Sequence, residues 1–163
     1  MDDHVTPELA TPVTPEVPVS GFKALRRTMT VCSERHVEVV DLTKQIRDAV
    51  RSVDIKEGLV LVNSLHTTCA LCINEFQSAL MEDLMAMLRL LVADKGGYKH
   101  DDPRYSDCER GNASAHLRAA LVGRSVAVGI NEGEVALGRF QSILLVELDG
   151  PRSRDIDVQM LGV

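Results

Sequence analysis

The sequence predicts an α+β domain with mainly antiparallel sheet. Two observations carry that reading. Short β-branched-rich segments and helical stretches follow in the order ββα-ββ-α-(α)-ββββ, a mixed order unlike the strict alternation of a βαβ nucleotide fold. The 163 residues are 45% hydrophobic and 26% charged, a globular balance at a length that favours one domain. Aromatics are only 3% and Trp is absent, so the core must be built from Val, Leu, Ile, Ala and Met. About 140 residues can bury roughly two-thirds of the surface that their unfolded chain exposes, enough to fold without staples.

Residues 1–20 stand apart as a tail, and 21–163 read as the single domain. Four of the six prolines fall in the tail and Thr-Pro-Glu occurs twice. Pro fixes φ and removes a donor, so the stretch is expected to be extended and coreless. From Phe22 the pattern changes. Phe22–Cys32 and His36–Val40 read as a hairpin turning at Ser33-Glu34-Arg35. Asp41 or Thr43 is placed to cap a helix to about Val53, with Ile46, Ala49, Val50 and Val53 at helical spacing. Gly58–Leu65 and Thr68–Ile73 read as strands with a bend at His66-Thr67.

Phe76, Ala79–Leu80, Asp83–Leu84, Met87–Leu88 and Leu91 mark a long helix. Asn74, with Gln77 three residues later, has capping-box spacing ahead of it. Residues 94–111 form a polar loop, long enough to be functional in a compact domain. Asn112 caps a short helix to about Val122, and Gly123 stops it. The strands Arg124–Ile130, Glu134–Leu137, Gln141–Leu148 and Arg154–Leu161 close the domain, with a tight turn at Asn131-Glu132-Gly133.

Several classes are disfavoured. A net charge of −6 argues against nucleic acid as a partner, because phosphate neutralisation needs clustered Lys and Arg. No apolar run approaches the roughly 18 residues that span a bilayer. The start lacks a signal peptide's basic and apolar regions, which points to the cytoplasm and reduced thiols for the four Cys. Cys69-Ala-Leu-Cys72 spells C-x-x-C, but on a strand that spacing puts the thiols on opposite faces, so packed thiols are expected. No Walker loop, dinucleotide fingerprint or nucleophile elbow is present.

The candidate chemistry lies at element ends. His66 follows a strand, His100 sits in the long loop and His116 opens the short helix. Three imidazoles from separate segments suit an open divalent-metal site, yet no fixed ligand spacing is present, so surface or core histidines explain them equally. Glu75 suits the helix dipole, or a pocket as ligand or base. Arg152 and Arg154 suit a phosphate, or are ordinary exposed arginines.

These residues also form a pattern. His66-Thr67-Thr68 followed by Ile73-Asn74-Glu75 resembles the H-T-T-x5-N-E signature of the YjbQ (UPF0047) family. Tyr98-Lys99-His100 is similar to its Y-x-H loop, and Asn112-Ala113-Ser114-Ala115-His116-Leu117 to its N-A-x-A-H-L helix start. Gly133, Leu137-Gly138, Gln141, Glu147 and Asp149-Gly150-Pro151-Arg152-Ser153-Arg154 resemble its closing block. The likeness runs from about Phe22 to Val163. It implies a two-layer antiparallel β-sandwich with flanking helices, and a homotrimer. It also implies that His66, His100 and His116 gather on a divalent metal, zinc before magnesium, near a subunit boundary. Glu75 or Asp101 would then serve as base or as support for the ligands. Thr67, Asn74, Asn112, Gln141, Arg152 and Arg154 would bind a phosphorylated small molecule. The activity often attached to the family is thiamine-phosphate synthesis. The family usually has Trp where this chain has Phe140, and commonly Thr where it has Arg139.

Overall fold

The computed structural model describes residues 21–163; the predicted tail lies outside them. Eight strands form two antiparallel sheets. The first has five strands in the order β1 (Lys23–Cys32), β8 (Ser153–Gly162), β3 (Gly58–Ser64), β5 (Ser125–Asn131) and β6 (Glu134–Val135). The second has three, in the order β2 (Glu38–Asp41), β7 (Ser142–Glu147) and β4 (Cys69–Asn74). Three helices join them: α1 (Thr43–Arg51), α2 (Ser78–Leu91) and α3 (Ala113–Val122). The α+β class and the antiparallel sheets are those that the sequence predicts. Among the described residues, no helix is long and apolar enough to cross a membrane.

Side-chain alternation decides what each face of β7 meets. Ile143 and Leu145 point between the sheets, where they pack with Leu71, Val60, Val62, Ile156, Val158 and Met160. Val146 points the other way and packs with Ala70, Leu88, Ala115 and Ala119 beneath α2 and α3. With both faces covered, β7 is buried along Ile143–Glu147, and four of those five residues are apolar, as burial on two sides favours. Cys69 belongs to the inter-sheet core and Cys72 to the helix-side cluster, so the C-x-x-C thiols do lie on opposite faces. Burial raises the pKa of both thiols, which makes them packing groups rather than nucleophiles.

Three local expectations are corrected. Phe22–Cys32 and His36–Val40 do not form a hairpin. β1 pairs along its whole length with β8, from Lys23↔Gly162 to Cys32↔Ser153, while β2 pairs with β7 in the other sheet. Burial of Val31 and Met29 against β8 outweighs the local turn. The capping box at Asn74 is not formed either. Asn74 ends β4, its Oδ1 accepts the Glu75 amide, and Gln77 is the cap of α2, its Oε1 accepting the Leu80 amide at 2.8 Å. Glu75 therefore precedes the helix instead of lying in its first turn. At α3, Asn112 occupies the cap position without a side-chain cap bond; Asp101 reaches over from the long loop and its Oδ1 accepts the Ala113 amide at 2.9 Å.

One close approach explains a pair of glycines. Gly58 of β3 faces Gly162 of β8 across the ladder. A Cβ on Gly58 would collide with the Leu161 carbonyl and the Gly162 Cα, and one on Gly162 with the Glu57 carbonyl. Only glycine lets the two backbones approach this closely.

Candidate functional site

The inter-sheet core ends in polar groups at one end of the sandwich. On β7 the inward row Ile143, Leu145 continues to Glu147, and on β8 the inward row Met160, Val158, Ile156 continues to Arg154. Glu147 is 0% exposed and Arg154 is 3% exposed. They form a two-pronged ion pair, Arg154 Nε to Oε2 at 2.6 Å and a terminal amine to Oε1 at 2.5 Å. Further hydrogen bonds close around the pair. The Ser33 hydroxyl donates to Glu147 at 3.0 Å, the amides of Leu148 and Asp149 donate to its Oε1, and Arg154 also donates to Thr68 Oγ1 at 3.0 Å. Burial pushes the Glu147 pKa up, but Arg154, the Asp149 amide and Ser33 together pull it below its ordinary value. The carboxylate is thus charged and the pair is a structural plug.

The plug orients the loop that follows it. Asp149 leaves β7 with its amide held by Glu147, and its carboxylate accepts from Asn112 Nδ2 at 2.9 Å and from Arg152 at 2.9 Å, with Arg110 at 3.7 Å. Arg152 Nε also bonds the Asp149 carbonyl at 2.7 Å. This knot fixes the start of α3, and so His116. The His116 ring stands against His100, centroids 4.9 Å apart and planes tilted by 30°. His100 lies on a 3-10 turn, Lys99–Asp101, whose Asp101 caps α3. Asp101 is thereby committed to α3 and brings its neighbour His100 to His116. His100 Nδ1 is buried without a hydrogen-bond partner.

Two hollows meet at His116. The polar one, about 350 Å³, is lined by Thr67, Thr68, Cys108, Arg110, Asn112, Asp149, Arg152 and Arg154. The apolar one, about 570 Å³, is lined by Leu65, Cys69, Ala119, Ala120 and Gly123, with Ser64 and Arg124. Leu65, His66, Thr67 and His116 line both. In the polar hollow, Arg110, Arg152 and Arg154 face Glu147 and Asp149, which leaves one positive charge in excess. Arg124 takes part in no ion pair among the described residues.

Of the residues singled out from sequence, His66, Thr67, Asn112, His116, Arg152 and Arg154 line these hollows, with His100 and Asp101 behind His116. Asn74, Glu75 and Gln141 do not. Asn74 is at the far end of β4 from Thr68, paired with Ser142. At ~3.3 Å per residue the six-residue strand separates them by roughly 20 Å. Glu75 is exposed beside it, and Gln141 is engaged with the Gly138 amide at 2.7 Å. Phe140 and Arg139 stack on each other at that same far end, 5.2 Å apart. Glu147 and Asp149 organise this end of the sandwich, and reasoning on types and spacing missed them. A lone acid in the apolar run Ile143-Leu-Leu-Val-Glu-Leu148 was the available signal.

Among the described residues, no group of three or more His, Cys, Asp or Glu side chains is gathered to hold an ion. His66 Nε2 already accepts the Asp155 amide at 2.8 Å. His66 and His116 line the same cavity and His100 stacks behind His116, an arrangement that does not fit a three-His centre within the chain.

Residues 27–163 match the model of the YjbQ-like UPF0047 proteins. The chain belongs to the YjbQ family. It is 44% identical to a UPF0047 protein of Archaeoglobus fulgidus over 133 residues, 82% of this chain and 98% of the relative. It is 29% identical to YugU of Bacillus subtilis over 136 residues, 83% and 98% of the two chains. The fold superposes on a crystal structure of a YbjQ-like protein of unknown function from Sulfolobus solfataricus, with a TM-score of 0.81 at 35% identity. That match covers 88% of this chain and all of the other.

His116 makes one consequence measurable. Burial first, then the His100 ring, lowers its pKa below the ordinary 6.5, against the opposing pull of Asp149 and Asp101. The unfolded chain therefore binds this proton more readily than the folded one. Stability is unaffected above the unfolded value and falls as pH drops through it towards the lowered folded value. His116→Asn should remove this dependence. Thermal melts of both proteins at about pH 7.5 and about pH 5.5 check it: parallel changes in the two would refute the assignment.

Proposed function

We propose that the two hollows form one site for a small phosphorylated organic molecule. The carrying observation is their junction: His116 lines a polar hollow with an excess positive charge and an apolar hollow of larger volume. Arg110 and Arg152 suit phosphoryl oxygens through their planar forks, and Asn112 and Thr67 add polar contacts. The wall of Leu65, Ala119, Ala120 and Gly123 is shaped for an uncharged ring. The surroundings of His116 favour its neutral form, which leaves the ring able to accept a hydrogen bond or a proton from the bound molecule.

The reaction we read for this site is of the thiamine-phosphate synthase type, as the family resemblance suggests. A thiazole phosphate attacks through its ring nitrogen the methylene carbon of a pyrimidine diphosphate. A C–N bond forms, the C–O bond breaks, and pyrophosphate leaves with the bonding pair. Positioning both reactants and neutralising the leaving group would supply the rate. We also read the chain as a homotrimer. Support comes from exposed apolar side chains, including Leu90 and Leu91 of α2 and Leu117 and Leu121 of α3, more than single scattered hydrophobics require.

Incubation with both thiamine precursors should yield the coupled phosphate above a protein-free control, and His116→Ala, which removes the side chain at the junction of the two hollows, should reduce the yield roughly tenfold or more through lost positioning. Absence of product removes the synthase reading. Phosphate retention without turnover would leave a binding protein. Light scattering at three times the 17.9 kDa chain mass is the expected assembly, and a monomer would refute it.

A further inference from the structure

Strand β3 leaves the five-stranded sheet at Ser64, its last residue paired with β8, opposite Ile156. One residue on, the Leu65 amide still donates to the Asp155 carbonyl at 3.1 Å. In an antiparallel ladder the N–H and C=O of one residue point to the same neighbour. The Asp155 amide therefore faces the place that β3 has vacated, where no backbone carbonyl is left to receive it. The His66 ring receives it instead, with Nε2 2.8 Å from the amide nitrogen. The bend that places the ring is held by Ser64, whose hydroxyl accepts the His66 amide at 3.2 Å. An imidazole thus finishes a strand ladder, as the cost of an orphaned amide demands.

That bond constrains the ring. A backbone N–H can only donate, so Nε2 must present its lone pair, and the neutral ring carries its proton on Nδ1. Turning the ring over would set a C–H against the amide, so its orientation is fixed as well. Neither nitrogen then offers a lone pair to an ion, since Nε2 is engaged and Nδ1 is protonated. Nδ1 is not among the buried unsatisfied atoms of the described residues, and the ring lines both hollows. We infer that His66 is a tautomer-locked hydrogen-bond donor, offering Nδ1–H to an oxygen of the bound anion, and not a metal ligand. The donor half of this inference rests on the anion reading of the cavity; the tautomer does not.

The test uses the full chain, wild type, His66→Gln and His66→Met, with inorganic phosphate and zinc as probes. Glutamine keeps both functions, its amide oxygen taking the Asp155 N–H and its NH2 standing in for Nδ1–H, whereas methionine keeps only a weak thioether acceptor and no donor. Nitrogen-resolved NMR of the wild-type imidazoles should show His66 protonated on Nδ1 and bare on Nε2, unchanged by an equivalent of zinc. His66→Gln should melt within about 2 °C of wild type and keep its phosphate affinity, while His66→Met, measured where it is folded, should bind phosphate roughly tenfold more weakly, the loss of one charge-assisted hydrogen bond. A protonated Nε2, or zinc-induced shifts of both His66 nitrogens, overturns the tautomer assignment without reference to any variant. Equal phosphate affinity in His66→Met and wild type overturns the donor role alone and leaves His66 a ladder cap. Wild-type protein that binds no phosphate overturns the anion reading, and the donor role with it.

Discussion

Replacing Glu147 by Ala should cost about 3–5 kcal/mol of stability, the range for removing one partner of a buried ion pair. Set against the roughly 5–15 kcal/mol that holds a domain of this kind together, that is enough to leave a substantial unfolded fraction on mild heating. The physical reason is what remains behind. Arg154, 3% exposed, keeps its charge with only the Thr68 hydroxyl to receive it, and the amides of Leu148 and Asp149 lose their acceptor. Two further variants separate these contributions. Glu147→Gln keeps an acceptor for the amides but removes the charge, so it should lie between wild type and Ala. Glu147→Leu combined with Arg154→Met removes both charges and should recover much of the loss, because an apolar pair of similar volume avoids the desolvation of two ions. The pH dependence has a definite sign. Because the folded pKa is lowered, the carboxylate's contribution is full above its unfolded value of 4.5 and fades as pH falls through the folded value. Denaturant unfolding of the four proteins measures all of this, and a Glu147→Ala loss under about 1 kcal/mol, the scale of a surface pair, would sink the account.

That residue also shows where sequence reasoning stops. Local patterning placed α2 and β7: apolar residues at every third to fourth position mark the helix, an unbroken apolar run marks the strand, and burial enforces both. Gly123 stops α3 for a reason visible in one residue, a φ of 105° that other residues avoid. The partners of a strand are different. β1 pairs with β8 from 139 positions away at Lys23↔Gly162 to 121 at Cys32↔Ser153, and nothing in Phe22–Cys32 names that partner, whereas the short Ser33-Glu34-Arg35 segment names a false one. The candidate site splits along the same line. His100 and His116 could be singled out by type, but their contact depends on Asp101 capping a helix twelve residues away. Asn74, Glu75 and Gln141 share motifs with His66 and Glu147, yet a six-residue strand carries them to the other end of the sheet. Motif membership located the family and not the cavity.

Gly150→Ala should damage the site from a position that lines neither hollow. Gly150 does not have the positive φ that strains other residues, so alanine meets no backbone objection, and any effect is one of space. There is none. An added Cβ would collide with the Arg35 carbonyl, the Ser33 hydroxyl and the Glu147 Cγ. The residue cannot slide away, because its amide donates to the His36 carbonyl at 2.9 Å and its own carbonyl lies 3.1 Å from His36 Nδ1. The expected loss is about 1–3 kcal/mol, the usual cost of forcing a methyl into a full site. The functional effect should be disproportionate. Relief of the clash must move Glu147 or the segment 149–152, and that segment carries the Asp149 carboxylate that holds Asn112 and Arg152. Displacing binding groups by a fraction of an ångström is enough to lose the geometry of several hydrogen bonds at once, so phosphate affinity should fall by roughly tenfold or more. A control with similar destabilisation but no path to the site, Val60→Ala in the inter-sheet core, should keep its affinity at temperatures where it remains folded. Matched affinities in the two variants would mean that the 149–152 loop holds its shape without the buried plug, and that the plug serves stability alone.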